Sequence, residues 1–192
     1  MKIIIKLLKE KWYLYLLSLI VTTILLTWLF SFFPDVKRKE IINVYIMCYG
    51  INEDEISNYF NSNKPDEIKQ VHTSFTNENS LYSEYSFQTK GILDSDVLIL
   101  PYSLIEGYEL NNYFVSIDST LNGYNYLVKD EVNYGITLYD YVSHNSYLDD
   151  YILYGLSFEN NEQNYYLFIN LKVANIDKTI EFIKNILKDN EN

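Results

Sequence analysis

The sequence predicts an α/β protein with an N-terminal transmembrane helix followed by a single three-layer domain on a mainly parallel sheet. Three observations predict this class. Residues 12 to 33 (WYLYLLSLIVTTILLTWLFSFF) carry no charge. Beyond them, short aliphatic runs alternate with segments of helical periodicity, as in strands joined by crossover helices. About 150 residues follow the uncharged run, which is enough for one domain with its own core.

The uncharged run has the length of a membrane span. At 1.5 Å per helical residue it is ~33 Å long, close to the ~30 Å hydrocarbon layer of a bilayer. Four lysines precede the run: Lys2, Lys6, Lys9 and Lys11. Three basic residues follow it, Lys37, Arg38 and Lys39, but the acidic Asp35 and Glu40 lie beside them. Positive-inside bias therefore predicts a cytoplasmic N-terminus at 1–11, a juxtamembrane linker at 34–40 and an extracytoplasmic domain at 41–192.

A cleaved signal peptide is the alternative for the same run. Such a peptide has an apolar core of only ~7 to 15 residues and ends in small residues. This run is longer and ends in Ser-Phe-Phe-Pro, residues 31–34. We therefore predict an uncleaved anchor in the cell membrane, with the lipid bilayer as the partner of residues 12–33.

The domain begins with a strand and a capped helix. Residues 41–49 (IINVYIMCY) are nearly all apolar and end at Gly50, as expected of a strand covered on both faces. Asn52 can cap the following helix, with Glu55 three residues later. That helix is predicted to stop near Asn63, because Pro65 disfavours helical geometry in the residue before it.

Three further strands and two helices complete the pattern. A less regular strand is predicted at 68–75, then a linker helix, and then a buried strand at 96–100 (DVLIL) that Pro101 stops. Residues 165–170 (YYLFIN) form another strand, and a last amphipathic helix opens at Asp177. The pattern predicts roughly five strands, mainly parallel, with right-handed crossovers.

The charge of the domain limits its partners. From residue 41 onward there are 8 lysines and no arginine against 23 acidic residues, a net charge of −15. Such a field opposes nucleic acid and anionic lipid and tolerates cations or neutral ligands. No nucleic-acid partner is expected. The 20 tyrosines suit sugar stacking, but abundant Asn, Ile and Lys beside them favour a compositional origin.

No pattern indicates catalysis or a metal. Cys48 lies inside an apolar strand, where a cysteine is usually an inert small hydrophobe, and no signature links it to His72 or His144. The acidic triplet at 53–55 would repel a phosphate from the helix it opens and suits the positive end of the helix dipole. Two distant histidines and the pair Asp149 and Asp150 lack metal-ligand spacing. We predict no enzyme activity, no cofactor and no metal.

The predicted topology places one candidate ligand site. Ligands of open α/β sheets bind outside the carboxyl ends of the strands. Those ends correspond here to residues 49–52, 74–76 and 101–103, and the candidate ligand-binding residues are Tyr49, Asn52, Thr76, Tyr102 and Ser103.

Several segments together resemble a known family. Six segments follow one another in this order: INVYIMCYG, SDVLILP, NYFVSID, YLVKDEVNYGITLYD, YYLFIN and the helix IDKTIEFIKNILK. This order resembles extracytoplasmic solute-binding proteins that feed ABC importers, of the type 2 periplasmic-binding-protein kind. The resemblance implies that SDVLILP is the third strand of a first lobe and that FVSID leads toward an interlobe crossing. It also implies a non-catalytic binding function beside an ABC permease or another envelope protein.

The chain is short for that family. A complete solute-binding protein closes two α/β lobes on its ligand and needs well over ~250 residues. Only about 35 residues separate Gly135 from Asn170, which is too few for a second lobe. Two hypotheses follow: a membrane-anchored binding module equivalent to one lobe, acting with a partner and a small-molecule solute, or an envelope scaffold and interaction protein with no small-molecule ligand.

Overall fold

The computed structural model describes residues 11–31, 37–117, 121, 123–148 and 162–187 of the 192. The chain divides into two compact units, Met1–Val36 and Lys37–Asn192.

The first unit contains helix α1, Trp12–Ser31. Its described side chains are exposed and apolar around the whole circumference. The hydroxyls of Thr22, Thr23 and Thr27 donate to the carbonyls four residues earlier, at 2.7 to 2.8 Å. In the described part of the chain, no helix combines the length and the hydropathy that crossing a membrane requires. Residues 1–10 and 32–36, which flank or end the predicted span, lie outside the described residues.

The second unit is an α/β domain. Its described strands are β1 (Ile41–Cys48), β2 (Gln70–Asn77), β3 (Val97–Pro101), β4 (Tyr126–Lys129), β5 (Val132–Asp140), β6 (Asn145–Ser146) and β7 (Tyr165–Ile169). Its described α-helices are α2 (Glu53–Ser62), α3 (Ser83–Ser86), α4 (Tyr102–Ile105) and α5 (Ile176–Ile186). A π-helix at Phe87–Ile92 continues α3, and short 3-10 turns lie at Arg38–Glu40 and Leu110–Asn112.

The sheet is mixed and not mainly parallel, which corrects the sequence prediction. Its strand order is β2-β1-β3-β7-β5-β4, with β6 paired to β5. Strand β1 is parallel to both β2 and β3, whereas β7 is antiparallel to its neighbours β3 and β5. The described residues thus form a parallel half of three strands joined to an antiparallel half. The predicted β-α-β start is confirmed, and the later strands add the reversal.

A tight hairpin joins β4 to β5 and explains part of the missed strand count. Its turn residues Asp130 and Glu131 both have positive φ, +53° and +64°. Hairpin turns with two positive-φ residues usually contain Asn-Gly or Asp-Gly, because glycine adopts this backbone without strain. An Asp-Glu pair gives no such signal, so the sequence pattern did not predict a turn here.

Local chemistry sets the ends of the predicted elements. Asn52 caps α2, since its side-chain oxygen accepts from the Glu55 amide, as the sequence predicts. Asn175 caps α5 in the same way by accepting from the Lys178 amide at 3.3 Å. The second strand begins and ends two residues later than predicted, so β2 extends to Asn77. That shift brings Glu78 to the end of the strand.

Helices cover both faces of the sheet, giving the expected three layers. On one face, α2 and α5 pack together through Phe60 and Phe182, whose rings are 5.6 Å apart and edge to face. On the other face, the π-helix and α4 contribute Phe87 and Ile105 to a second buried cluster. Strand β3 is buried along its whole length between the two.

Candidate ligand-binding site

The carboxyl ends of the parallel strands meet at one edge of the sheet. Strand β1 pairs in register with β2 from Ile41 to Cys48, and β3 lies on its other side. Because β7 is antiparallel to β3, the start of β7 lies at this same edge, beside the end of β5. We call this edge, formed by the ends of β2, β1, β3 and β5 with the start of β7, the carboxyl edge.

The five residues that the sequence singles out lie at or next to the carboxyl edge, in different settings. Tyr49 follows β1 with 42% of its surface exposed, and its carbonyl accepts from the Asn77 side chain at 2.7 Å. The Asn52 side chain is engaged in capping α2. Thr76 lies within β2, where its hydroxyl bonds to that of Ser86 at 2.6 Å on the π-helix side of the sheet.

Tyr102 and Ser103 form the first turn of α4, directly after β3. The Tyr102 ring contacts that of Tyr166 at 6.1 Å between centroids, with 59° between the planes. The Ser103 amide donates to the side-chain oxygen of Gln163 at 3.1 Å. The predicted residues are therefore divided, with Thr76 in a groove beside β2 and Tyr102 in a second groove.

The second groove combines three tyrosines with three polar side chains at the carboxyl edge. It has a volume of about 440 Å³. We call it the tyrosine groove and define it by the residues Tyr102, Tyr141, Glu162, Gln163, Asn164 and Tyr166, with Leu127 and Val142 at its apolar side.

Asn164 fixes the three tyrosines of the groove. Its backbone carbonyl accepts from the Tyr102 amide at 2.9 Å, and its side-chain oxygen accepts from the Tyr141 amide at 2.9 Å. Its side-chain NH₂ donates to the Tyr166 hydroxyl at 3.3 Å. One residue thus joins the start of α4, the turn after β5 and the start of β7. A site held in this way is preorganised, which lowers the entropy that binding must overcome.

The Tyr166 hydroxyl titrates in an apolar and negative environment. Burial raises its pKa, and the neighbouring Tyr102 and Asp140 raise it further, while the hydrogen bond to Asn164 opposes the shift. The ring therefore stays neutral across physiological pH. Its hydroxyl is a hydrogen-bonding group and not a base.

Glu78 links the two halves of the carboxyl edge. One of its carboxylate oxygens accepts from the Tyr165 hydroxyl at 2.9 Å and from the Gln163 side chain at 3.3 Å. Strand β2 ends just before Glu78, so this contact passes across the ends of β1 and β3 to the start of β7. Burial raises the Glu78 pKa, and the Tyr165 hydrogen bond partly offsets that effect.

Cys48 lies beneath this link as an unreactive thiol. It is buried, and desolvation together with the charge of Glu78 raises its pKa to about 12. Its thiol donates to the Gly50 carbonyl at 3.2 Å. At neutral pH almost none of it is thiolate, the form that acts as a nucleophile.

The groove beside β2 is larger. It has a volume of about 510 Å³ between β2 and the π-helix, and Tyr82 and Tyr85 line it. Its polar side chains bond to near neighbours: Thr76 to Ser86, Asn77 to the Tyr49 carbonyl and Thr89 to the Tyr85 carbonyl. In the tyrosine groove, by contrast, one residue bonds to three separate elements. We therefore take the tyrosine groove as the candidate site.

His72 and His144 lie apart. The exposed His72 lies on β2, in a small polar groove of about 300 Å³ that Lys90 and Asp94 also line. His144 is in the turn after β5, with φ +53°, and its Nδ1 lies 3.1 Å from the Tyr139 hydroxyl. Among the described residues, no group of three or more His, Cys, Asp and Glu side chains converges in a way that fits a metal ion. Asp149 and Asp150 lie outside the described residues.

Sequence reasoning missed most of the tyrosine groove for a topological reason. Gln163, Asn164 and Tyr166 lie at the start of a strand, and ligand sites were expected only where strands end. No signal in YYLFIN indicates that β7 runs antiparallel to β3. Glu78 was missed because the sequence placed the second strand at 68–75, two residues too early. With the strand extended through TSFTN to Asn77, Glu78 becomes the first residue after the strand.

Comparisons of the chain with protein-family models, with curated proteins and with solved structures give no match. The resemblance to solute-binding proteins rests on the short sequence motifs alone. The class of the protein, an α/β domain with a mixed sheet, rests on the strand order and the two helical layers.

Proposed function

We propose that the chain is a membrane-anchored extracytoplasmic binding module, equivalent to one lobe of an ABC-importer solute-binding protein, which is non-catalytic and acts with a partner. The observation that carries the proposal is the tyrosine groove, in which Asn164 fixes three tyrosines at the carboxyl edge. Ligand pockets typically combine apolar or aromatic walls with a few convergent polar groups.

The proposed anchor is the segment 12–33, and its support lies in the sequence and in local hydrogen bonding. The segment has no charge, and four lysines precede it. The threonine hydroxyls within α1 donate to carbonyls of their own helix, which keeps them satisfied without water. The domain would then lie outside the cytoplasm, with the N-terminus inside.

A partner is part of this proposal because the groove is open to solvent. Small-molecule pockets bury about 70 to 90% of their ligand, which a single open groove does not reach. A permease or another envelope protein that covers the groove would supply the second wall. We therefore expect weak binding by the chain alone.

Thermal unfolding of the full chain in non-ionic detergent tests the binding function. Sugars, peptides, amino acids, organic cations and metal ions are added separately at millimolar concentration. A ligand present at 100 times its Kd stabilises the folded state by ~2.7 kcal/mol. A rise in the unfolding temperature that Asn164→Ala abolishes supports the proposal. No rise with any compound class contradicts autonomous ligand binding.

One observation favours the alternative, an envelope scaffold protein without a small-molecule ligand. Leu81, Tyr82, Tyr85 and Leu93 are exposed around α3 and the π-helix, Leu81 to 98%. Large apolar side chains grouped on a surface often mark protein contacts. Crosslinking in membranes distinguishes the two, since a scaffold would crosslink through this surface and be unaffected by Asn164→Ala.

A further inference from the structure

We infer that the tyrosine groove recognises an organic cation, namely a quaternary ammonium group on a small organic body. The inference rests on the proposed binding function and names the ligand class for that same groove. It follows from three features of the groove: its aromatic rings, its charges and its amide side chains, which are already hydrogen-bonded.

The aromatic faces are arranged as a corner. The Tyr102 and Tyr166 rings are inclined at 59° with centroids 6.1 Å apart, and Tyr141 lines the same cavity. A cation is attracted to the face of an aromatic ring when it lies within about 6 Å of the ring centroid. Tyr102 is 39% exposed and Tyr166 only 7%, so Tyr102 offers most of the aromatic surface that a cation in this groove can reach.

The charged side chain among the described residues that line the groove is acidic. Glu162 lines it, and no described lysine, arginine or histidine does; the ring of His144 packs edge to face on Tyr141 at 5.8 Å. Asp140 lies close enough to Tyr166 to act on it electrostatically. The Asp140 carboxylate is held in place, since it accepts from the Val142 amide at 3.1 Å and from the Ser143 hydroxyl at 2.7 Å. These two carboxylates attract a cation and repel an anionic ligand.

The hydrogen-bond donors decide between a cation and a sugar. A sugar needs several free polar groups on the protein to replace its hydration. In the groove, the Asn164 side chain is engaged on both its oxygen and its nitrogen, and Gln163 bonds to Glu78 and Ser103. A quaternary ammonium has no N–H and makes no directed hydrogen bonds, so it fits a site whose two amide side chains are already engaged.

A pair of matched probes tests the inference. Choline and its uncharged isostere 3,3-dimethylbutan-1-ol have nearly the same shape, so they differ mainly in charge. Binding of each to the full chain in non-ionic detergent is measured by calorimetry at pH 7.5 and low salt, with sodium chloride as the ionic-strength control. We expect choline to bind at least about 10-fold more tightly than the alcohol, and to weaken with salt.

Variants locate the binding. Tyr102→Leu removes a ring and retains an apolar side chain, and we expect it to weaken choline binding by about 5-fold, whereas Tyr102→Phe retains most of the affinity. Glu162→Gln is expected to weaken binding by about 3-fold and to reduce its salt dependence. Tyr85→Leu, in the groove beside β2, and Asp66→Asn, in the loop before β2, are the matched controls and leave binding unchanged.

The outcomes separate this inference from the proposed function. Equal binding of choline and the alcohol, or equal losses in Tyr102→Leu and Tyr85→Leu, would overturn cation recognition. Binding of sugars or peptides without choline would also overturn it and would leave the binding function standing. A chain that binds no compound of any class fails both proposals.

Discussion

Asp96 is a buried carboxylate at which several elements of the domain meet. It is 1% exposed, and its carboxylate accepts from both terminal nitrogens of Arg38, at 2.9 and 3.0 Å, and from the amides of Asn43 and Ala174, at 2.8 and 3.0 Å. Strand β1, the start of β3, the loop before α5 and the first turn of the domain meet at this carboxylate.

We therefore predict that Asp96→Asn destabilises the domain by about 3 kcal/mol, because the amide nitrogen turns a donor toward donors and removes the charge that pairs with Arg38. The free energy of unfolding is measured in urea, with the circular dichroism of the tyrosines as the signal. Tryptophan fluorescence is unsuitable, because both tryptophans lie in α1 and report on that helix alone. Asp94→Asn is the control, because Asp94 is exposed and bonds through its backbone carbonyl. Equal losses in the two variants would contradict this account.

Glu78 is predicted to make stability depend on pH in the direction opposite to that of a salt-bridged carboxylate. Its pKa is raised above the ordinary value of 4.5 by burial, so the folded state holds the proton more tightly than the unfolded state. The stabilisation from this group is complete below about pH 4.5 and is lost as pH rises through the raised pKa. Glu78→Gln removes that loss while keeping an acceptor for Tyr165.

The measurement is a comparison of unfolding free energies at pH 5 and pH 8. We expect the free energy of unfolding of Glu78→Gln to rise relative to that of wild type between pH 5 and pH 8. Tyr165→Phe, which removes the opposing hydrogen bond, is expected to steepen the pH dependence. If Glu78→Gln loses stability at pH 8 relative to pH 5, the carboxylate is stabilising and the assignment is wrong.

At this scale the sequence was informative where a residue acts on its own neighbours. The Asn52 cap follows from local spacing, and an unreactive Cys48 follows from its place in an apolar strand. The roles of Asp96 and Glu78 depend on partners 53 to 87 positions away in the chain. The Asn164 side chain bonds to the amide of Tyr141, 23 positions away. No local pattern contains those partners.

At the scale of elements, the parallel half of the sheet was readable and the antiparallel half was not. Strands β1, β3 and β7 are apolar along their length, which marks them as buried whatever their direction. Direction depends on the connection, and the β4–β5 turn through Asp130 and Glu131 lacks the usual glycine. A buried strand therefore reveals its position in the core but not its orientation.

The contact between β5 and β7 supplies a test of the antiparallel half. A Cβ on Gly135 would lie 2.7 Å from Cε1 of Phe168, whose ring is fully buried and stacked on Phe114 at 4.4 Å. We predict that Gly135→Ala destabilises the domain by about 1 to 3 kcal/mol, because this ring has no room to shift. Gly107→Ala is the control, since its Cβ would meet no atom within 4 Å, and its stability should be unchanged or slightly higher. Equal stability of the two variants in urea unfolding would show that β5 and β7 do not pack in this register.

At the scale of the whole molecule, the proposed function joins two units with different requirements. The acidic domain has its own two cores and the tyrosine groove, for which we infer a cationic ligand. The N-terminal segment has a helix with exposed apolar side chains and no apolar stripe to bury against a core. The proposed function places this helix in hydrocarbon, where such side chains are favourable.

The proposed anchor leads to a prediction that tests the location of the groove. With an epitope tag at the C-terminus, the wild-type chain should remain in membranes after alkaline extraction, and protease added to spheroplasts should remove the tag. Replacing both Ile20 and Ile24 by arginine places two charges in the middle of the helix, at about 2.5 to 3.5 kcal/mol each, and should release the chain into the soluble fraction. The control variant Ile20→Val with Ile24→Leu should behave as wild type. Protection of the tag in intact spheroplasts, or release of the wild-type chain by alkali, would place the tyrosine groove where no external ligand reaches it.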